Sequence, residues 1–97
     1  SDIVPKVFAL HQNYPNPFNP KTNIRYELAG DTFISLNIYD IKGNVVKSFI
    51  NKVQKAGYKM INWNSTNNLG ENVSAGMYIY TIQAGDFRET KKMILLK

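Results

Sequence analysis

Residues 23–40 read NIRYELAGDTFISLNIYD, and this stretch decides the fold class. In its first half, apolar residues from Ile24 to Leu28 alternate with polar or charged ones, and its second half repeats this period of two. Because successive side chains of a β-strand point to opposite faces, each half predicts a strand with one buried face. Gly30 and Asp31, between the halves, are typical of a turn.

Five further stretches are rich in β-branched or aromatic residues and lie between turn residues. They are KVFAL at 6–10, VVKSFI at 45–50, YKMINWN at 58–64, GMYIYTIQ at 76–83 and FRETKKMILL at 87–96. No window combines an apolar pattern at helical spacing with a capping residue. Seven short strands predict an all-β fold, a seven-stranded antiparallel immunoglobulin-like β-sandwich, with a closed barrel as the alternative.

The alternation also predicts which residues fill the space between the two sheets. Trp63 is expected there because a tryptophan buried between sheets is typical of this architecture. The disulfide that often accompanies such a tryptophan is absent, since the chain has no cysteine. The predicted core residues are Ile24, Tyr26, Leu36, Ile38, Trp63 and Leu95.

Composition limits the classes of protein to which the chain can belong. Its 97 residues suffice for one domain with a modest core, and 43% hydrophobic against 20% charged residues are typical of a folded globule. The net charge of +5 forms no clustered basic stripe, which argues against nucleic acid as a partner. No apolar stretch approaches the roughly 20 residues of a transmembrane helix, so we expect the domain not to span a membrane.

Candidate catalytic and metal-binding residues are scarce. His11 is the only histidine, no cysteine is present, and Asp40 and Glu71 lie in separate turn regions. We therefore expect no catalytic residue and no enzyme activity. The asparagine-rich loop 64–76 lacks the leading carboxylates of a calcium loop, so we expect Asx-turns there, with no metal and no cofactor.

The loop between the first two strands contains NYPNPFNP at residues 13–20. Its prolines fix their own φ at about −65°, and its asparagines are expected to form Asx-turns with amides two residues on. Tyr14 and Phe18 are expected to point inward, so that the loop caps one end of the sandwich. A proline-rich ligand for an aromatic groove is the functional alternative, but only Pro17 and Pro20 have the PxxP spacing.

A carbohydrate-binding or adhesive surface module is a competing functional hypothesis. Exposed aromatic rings can form a platform for sugars, and the chain offers Tyr39, Tyr58, Trp63, Tyr78 and Tyr80. Tyr78 and Tyr80 share one face of a strand, as they would in an ordinary half-buried strand. The hypothesis predicts that a change at Tyr39 or Tyr58 abolishes affinity for a polysaccharide.

Five stretches carry a resemblance to a known family. They are FALHQNYPNPFNPKTNIRYEL at 8–28, LNIYDIKGNVV at 36–46, KAGYKMINWN at 55–64, GENVSAGMYIYTIQAGDF at 70–87 and ETKKMILLK at 89–97. Together they resemble the C-terminal sorting domain of the type IX secretion system of Bacteroidetes and, more distantly, the immunoglobulin-like domain of flagellar hook-capping proteins. The structural motif residues are Asn13, Tyr14, Pro15, Asn16, Pro17, Phe18, Gly43, Gly57, Trp63, Gly76, Tyr78 and Gly85. The loop after Trp63 departs from the family, since it begins NSTN where an acidic residue and a glycine are common.

The resemblance implies a function that composition alone does not. Residues 8–97 are expected to be the sorting domain, and residues 1–7 the linker from a covalently attached upstream cargo domain. Such a domain has no chemistry of its own and is recognised by the type IX secretion translocon. Its cargo passes through the periplasm and outer membrane to the cell surface or the medium. In many members a surface sortase-like protease then removes the domain, whereas others retain it.

The last predicted strand is the candidate for recognition by the translocon. A strand at a sheet edge leaves backbone amides and carbonyls for a partner strand, and its lysines limit indiscriminate pairing. A second hypothesis, compatible with the first, is that the apolar residues 93–96 complete the core. The candidate recognition residues are Lys91, Lys92, Met93, Leu95 and Lys97.

Overall fold

The computed structural model describes residues 4–97, so residues 1–3 of the predicted linker lie outside the described part of the chain. Seven β-strands are present, and residues 4–97 contain no helix, which confirms the predicted fold class. The strands are β1 (Ala9–Leu10), β2 (Thr22–Leu28), β3 (Thr32–Tyr39), β4 (Val45–Gln54), β5 (Gly57–Trp63), β6 (Gly76–Ala84) and β7 (Phe87–Leu95).

The first strand is shorter than the predicted segment 6–10. In β1, Ala9 lies opposite Glu27 of β2, and the next residue continues this pairing. Because β2 ends at Leu28, residues 4–7 have no partner on that strand. The described segment that precedes β1, residues 4–8, is therefore irregular.

The strands form two antiparallel sheets. The three-stranded sheet has the order β1-β2-β5, and the four-stranded sheet has the order β4-β3-β6-β7. The chain crosses from one sheet to the other after β2, after β4 and after β5. Since neither sheet closes on itself, the architecture is an immunoglobulin-like sandwich and the barrel alternative is wrong.

The core lies between the sheets and contains all six predicted residues in buried positions. Trp63 is fully buried, with its ring centroid 5.7 Å from that of Phe18 and 5.4 Å from that of Tyr78. Its Nε1 donates a hydrogen bond of 2.8 Å to the carbonyl of Thr66. Tyr78 Oη donates one of 2.6 Å to the carbonyl of Ser74, upstream of β6, as in the tyrosine corner of immunoglobulin-like domains.

The asparagine loop, residues 64–75, crosses from β5 to β6 and covers the beginning of the outer edge of β4. The backbone amide of Asn68 donates to the carbonyl of Val46 at 3.0 Å, and Asn68 Oδ1 accepts from the amide of Ser48 at 3.0 Å. Asn67 Oδ1 accepts from the amide two residues on at 2.9 Å, so the Asx-turn predicted for this loop is confirmed. The covered part of this edge strand is protected from pairing with another chain.

Candidate functional site

The proline loop, residues 11–21, joins β1 to β2 and closes one end of the sandwich. Phe18 is buried against Trp63, as predicted, with 1% of its surface exposed. Tyr14 is 77% exposed, so the prediction that its ring also points inward is wrong. Tyr14 exchanges two backbone hydrogen bonds with Asn23. Because directly opposed residues share a face, the Tyr14 side chain lies with Asn23 on the outer face of the sheet.

The asparagines of this loop do not form the predicted Asx-turns. Asn13 is buried, and its Nδ2 donates to the carbonyl of Pro15 at 3.2 Å and to Thr22 Oγ1 at 3.0 Å. The physical reason is that Pro15, two residues after Asn13, has no amide hydrogen to donate. Asn16 Oδ1 instead accepts a hydrogen bond of 3.0 Å from the amide of Ile94 on β7. Both asparagines therefore bind the loop to the strands.

Tyr80 of β6 holds the start of the proline loop from inside the core. Its Oη accepts a hydrogen bond of 2.8 Å from the amide of Asn13 and donates one of 2.8 Å to the carbonyl of His11. Burial raises the pKa of the Tyr80 phenol to about 12, because the phenolate would lose its hydration. The phenol is therefore protonated, and able to donate this hydrogen bond, throughout the physiological pH range.

The outer edge of β7 is partly occupied, although β7 is the outermost strand of the four-stranded sheet. The amide of Phe18 donates to the carbonyl of Ile94 at 3.0 Å, and the amide of Leu96 donates to the carbonyl of Phe18 at 2.8 Å. Gln12 Nε2 donates to the carbonyl of Lys92 at 2.6 Å. These contacts engage most of the outward-facing backbone groups at the end of β7. In the folded domain, the last residues of the strand do not offer a free edge.

The beginning of β7 is protected differently. By strand alternation, the backbone groups of Arg88 and Thr90 point to the same outer side, and they have no hydrogen-bond partner among residues 4–97. Glu89 and Lys91 lie opposite buried residues of β6 and form an ion pair of 3.2 Å at the margin of the core. Charges on the inward side of an edge strand discourage pairing with a foreign strand.

The five candidate recognition residues lie in three environments. Met93 and Leu95 are buried in the core. Lys91 is half-buried in its ion pair. Lys92 and Lys97 are exposed, and their ammonium groups are accessible to a partner.

Ile94 and Leu96 are exposed, contrary to the hypothesis that all of residues 93–96 complete the core. Their exposed fractions are 40% and 50%, and Met77, directly opposite Ile94 on β6, is 43% exposed. Strand alternation explains this placement, since burial of the residues on both sides of Ile94 directs its own side chain outward. We call this exposed group the terminal patch, and it consists of Met77, Lys92, Ile94 and Leu96.

The aromatic residues considered as a sugar platform do not lie together. Trp63, Tyr78 and Tyr80 are buried in the core. Tyr39 belongs to β3 of the four-stranded sheet, whereas Tyr58 belongs to β5 of the three-stranded sheet and is 59% exposed. A single platform formed by all five rings is therefore excluded.

The described residues bring ionisable side chains together in pairs but in no larger cluster of potential metal ligands. Within residues 4–97, no three His, Cys, Asp or Glu side chains come together as ligands for a metal ion. His11 Nε2 lies 2.6 Å from Glu27 Oε2 on the outer face of the three-stranded sheet. The same part of the chain contains no helix of the length and hydropathy needed to cross a membrane.

The fold and its closing loop define a small immunoglobulin-like β-sandwich whose final strand is held by a proline-rich segment. The family described as the secretion system C-terminal sorting domain matches residues 12–96. The chain belongs to this family of type IX secretion sorting domains. A comparison with curated protein sequences finds no match.

Solved structures share the fold at low sequence identity. The chain is similar to part of dimeric latent PorU from Porphyromonas gingivalis, with 23% identity and a TM-score of 0.67 over 88% of this chain and 9% of that chain. It is also similar to part of PorZ, an essential bacterial surface component of the type-IX secretion system of the same organism, with 17% identity and a TM-score of 0.60 over 93% and 11% of the two chains. FLGD from P. aeruginosa aligns with 20% identity and a TM-score of 0.58 over 81% and 67%. The chain thus spans only 9% of PorU and 11% of PorZ.

Family membership also determines the localisation. A type IX sorting domain is exported through the outer membrane to the cell surface or the extracellular space. The predicted localisation is therefore confirmed, and the Porphyromonas structures agree with the predicted origin in Bacteroidetes.

Proposed function

We propose that this domain is a non-catalytic C-terminal sorting signal and that the type IX translocon binds it through the terminal patch. One observation carries the proposal: the outer edge of β7 is occupied at its end, while Ile94 on the outer face of this strand and Leu96 just after it are exposed. Pairing of a partner strand with this edge would require the proline loop to leave. Binding to the outer face requires no such change.

The chemistry of the patch suits a protein partner. Exposed apolar side chains that lie together beside charged residues are typical of protein interaction sites. Lys92 and Lys97 add positive charge, which favours encounter with an acidic surface. In this proposal Met93 and Leu95 position the strand from within the core, and Lys91 protects its inward side.

The remaining partners follow from the sorting role. We assign residues 8–97 to the sorting domain and residues 1–7 to a linker from a covalently attached cargo domain. The exposed Val7 and the irregular backbone of residues 4–8 support this boundary, whereas the buried Pro5 lies on the linker side of it. Within the linker, Lys6 and Val7 are a suitable site for cleavage by a surface sortase-like protease, since they are exposed and their backbone is not held in a sheet.

An export assay tests the proposal. Residues 8–97 are fused to a periplasmic reporter in a host with a type IX system. Deletion of the last five residues would remove Met93 and Leu95 from the core, so exposed positions are changed instead. The test variant is Ile94→Ser with Leu96→Ser. The matched control is Ile41→Ser with Leu69→Ser, at apolar positions that are 70% and 83% exposed and lie outside the terminal patch.

The expected result is normal export of the control and periplasmic retention of the patch variant. Thermal melts of the purified proteins establish that both variants fold. Export of the patch variant at the level of the control would contradict recognition through the terminal patch. Equal retention of both folded variants would contradict it as well.

A further inference from the structure

A groove crosses the outer face of the three-stranded sheet, on the opposite side of the sandwich from the terminal patch. Its larger part is an open cavity of about 350 Å³, and a second cavity of about 120 Å³ shares Arg25 with it. The larger cavity is lined by His11, Arg25, Tyr26, Glu27, Tyr58 and Lys59. The smaller one is lined by Gln12, Tyr14, Asn23, Arg25 and Met60.

Two exposed tyrosines belong to opposite ends of this groove. Tyr58 lies directly opposite Glu27 on β2, and Tyr14 lies directly opposite Asn23 on the same strand. Asn23 and Glu27 are four positions apart along β2, which corresponds to about 13 Å at about 3.3 Å per residue. Arg25 lies midway between them. The groove therefore presents an aromatic ring on each side of a guanidinium group.

Arg25 carries a positive charge that is not paired within residues 4–97. Its guanidinium forms no hydrogen bond or ion pair with any residue in the range 4–97. Glu27, the anionic group of the groove, is instead bonded to His11. A free guanidinium is suited to bind a carboxylate through two parallel hydrogen bonds. Asn23 and Asn62, whose side chains are 2.8 Å apart, offer further donors and acceptors on the same face.

We propose that this groove binds a short oligosaccharide that contains a carboxylated sugar. Arg25 would bind the carboxylate, and the rings of Tyr58 and Tyr14 would pack against the apolar faces of the sugar rings. Sites for small ligands combine apolar walls with a few placed polar groups, at volumes of about 300–1,000 Å³. The larger cavity is at the low end of that range.

A peptide strand fits this groove less well. Recognition of an extended peptide uses the free backbone groups of a sheet edge, whereas this groove lies on the face of the sheet. The site is also independent of the sorting proposal, because the groove and the terminal patch lie on opposite outer faces. Failure of either experiment leaves the other proposal standing.

The test is a titration of the isotope-labelled 97-residue chain with tetragalacturonate, followed by NMR amide shifts. Maltotetraose serves as the uncharged comparison. We expect saturable shifts around Arg25 and Tyr58, and binding of maltotetraose at least about tenfold weaker, since a charge-assisted contact is lost. The same loss, at least about tenfold, is expected for Arg25→Gln and Tyr58→Ala. Vesicles that carry a glucuronosylated lipid form a second arm, which distinguishes a lipid-linked glycan from a free one.

Matched controls separate the groove from the rest of the surface. Arg88→Gln changes an exposed arginine of β7, and Tyr39→Ala changes a tyrosine of the four-stranded sheet. Both control variants are expected to retain the parental affinity. Arg25→Lys keeps the positive charge but lacks the planar guanidinium with its forked donors, so it should bind with intermediate affinity. Thermal melts verify the fold of each variant. Absence of saturable binding in both arms, shifts confined to other faces, or equal affinity of groove and control variants would overturn the proposal.

Discussion

The amide of Leu96 donates a hydrogen bond of 2.8 Å to the carbonyl of Phe18, whose ring lies buried against Trp63. Phe18 therefore fills the end of the core with its side chain and binds Leu96, just after β7, with its backbone. The amide of Phe18 also donates to Ile94, which has its side chain in the terminal patch. We infer that the proline loop and the terminal patch form one structural unit.

Phe18→Ala tests the role of the proline loop in stability. We expect a loss of about 3–5 kcal/mol in the free energy of unfolding, because a buried aromatic ring is removed and a cavity remains. Tyr14→Ala is the matched control, since Tyr14 lies in the same loop and is 77% exposed. Its unfolding free energy should change by no more than about 0.5 kcal/mol. Chemical denaturation measures both values, and similar losses in the two variants would contradict the assigned positions of the rings.

Hydrogen exchange tests the occupied edge of β7. We expect the amides of Ile94 and Leu96 to exchange slowly, because each donates to the proline loop. The amide of Thr90 points to the same side and should exchange quickly, since no partner is present among residues 4–97.

Asn16→Ala extends this test at a single hydrogen bond. The change removes the acceptor of the Ile94 amide and should speed its exchange. Asn19→Ala alters an exposed asparagine of the same loop and is the control. Equal exchange rates at Ile94 and Thr90 in the parent protein would show that the edge is free in solution.

The buried tyrosines predict a loss of stability in alkaline solution. Burial raises the pKa of Tyr80 to about 12, whereas the unfolded chain has the ordinary value near 10. Burial also raises the pKa of Tyr26 and that of Tyr78. A raised phenol pKa means that the folded state keeps its proton longer. The stability that these protonated phenols contribute is therefore fully present below about pH 10. It is lost as the pH rises through about 12.

For Tyr80 alone, two pKa units correspond to a loss of about 3 kcal/mol. Denaturation curves recorded between pH 9 and pH 12 measure how the free energy of unfolding falls with pH. A free energy of unfolding that stays constant up to pH 12 would contradict the burial of these phenols.

Short-range patterns in the sequence were sufficient for most of the fold. Alternation of apolar and polar residues placed Ile24, Tyr26 and Leu36 in the core, and the aromatic and proline pattern identified the loop that carries Phe18. The same rule, applied residue by residue to 93–96, would also have placed Ile94 on the surface. These features depend only on neighbouring residues along one strand or loop.

The features that local patterns do not specify are contacts between separate parts of the chain. Tyr14 faces outward because it pairs with Asn23, and that register is not encoded in the loop itself. The partner of Asn16 is 78 residues away in sequence, and that of the Asn13 amide is 67 residues away. The groove around Arg25 likewise depends on the register that brings β5 beside β2. The pattern within one strand or loop does not specify which distant residues it contacts.

Site-specific photocrosslinking in cells with a type IX system tests the central claim most directly. A photoreactive residue is placed at position 94 or 96 of the tagged reporter, and at the control positions 41 and 69. We predict crosslinks to a translocon component from positions 94 and 96 and none from the controls, because the terminal patch is the recognised surface. Crosslinks to the translocon from the control positions, with none from 94 or 96, would contradict the account.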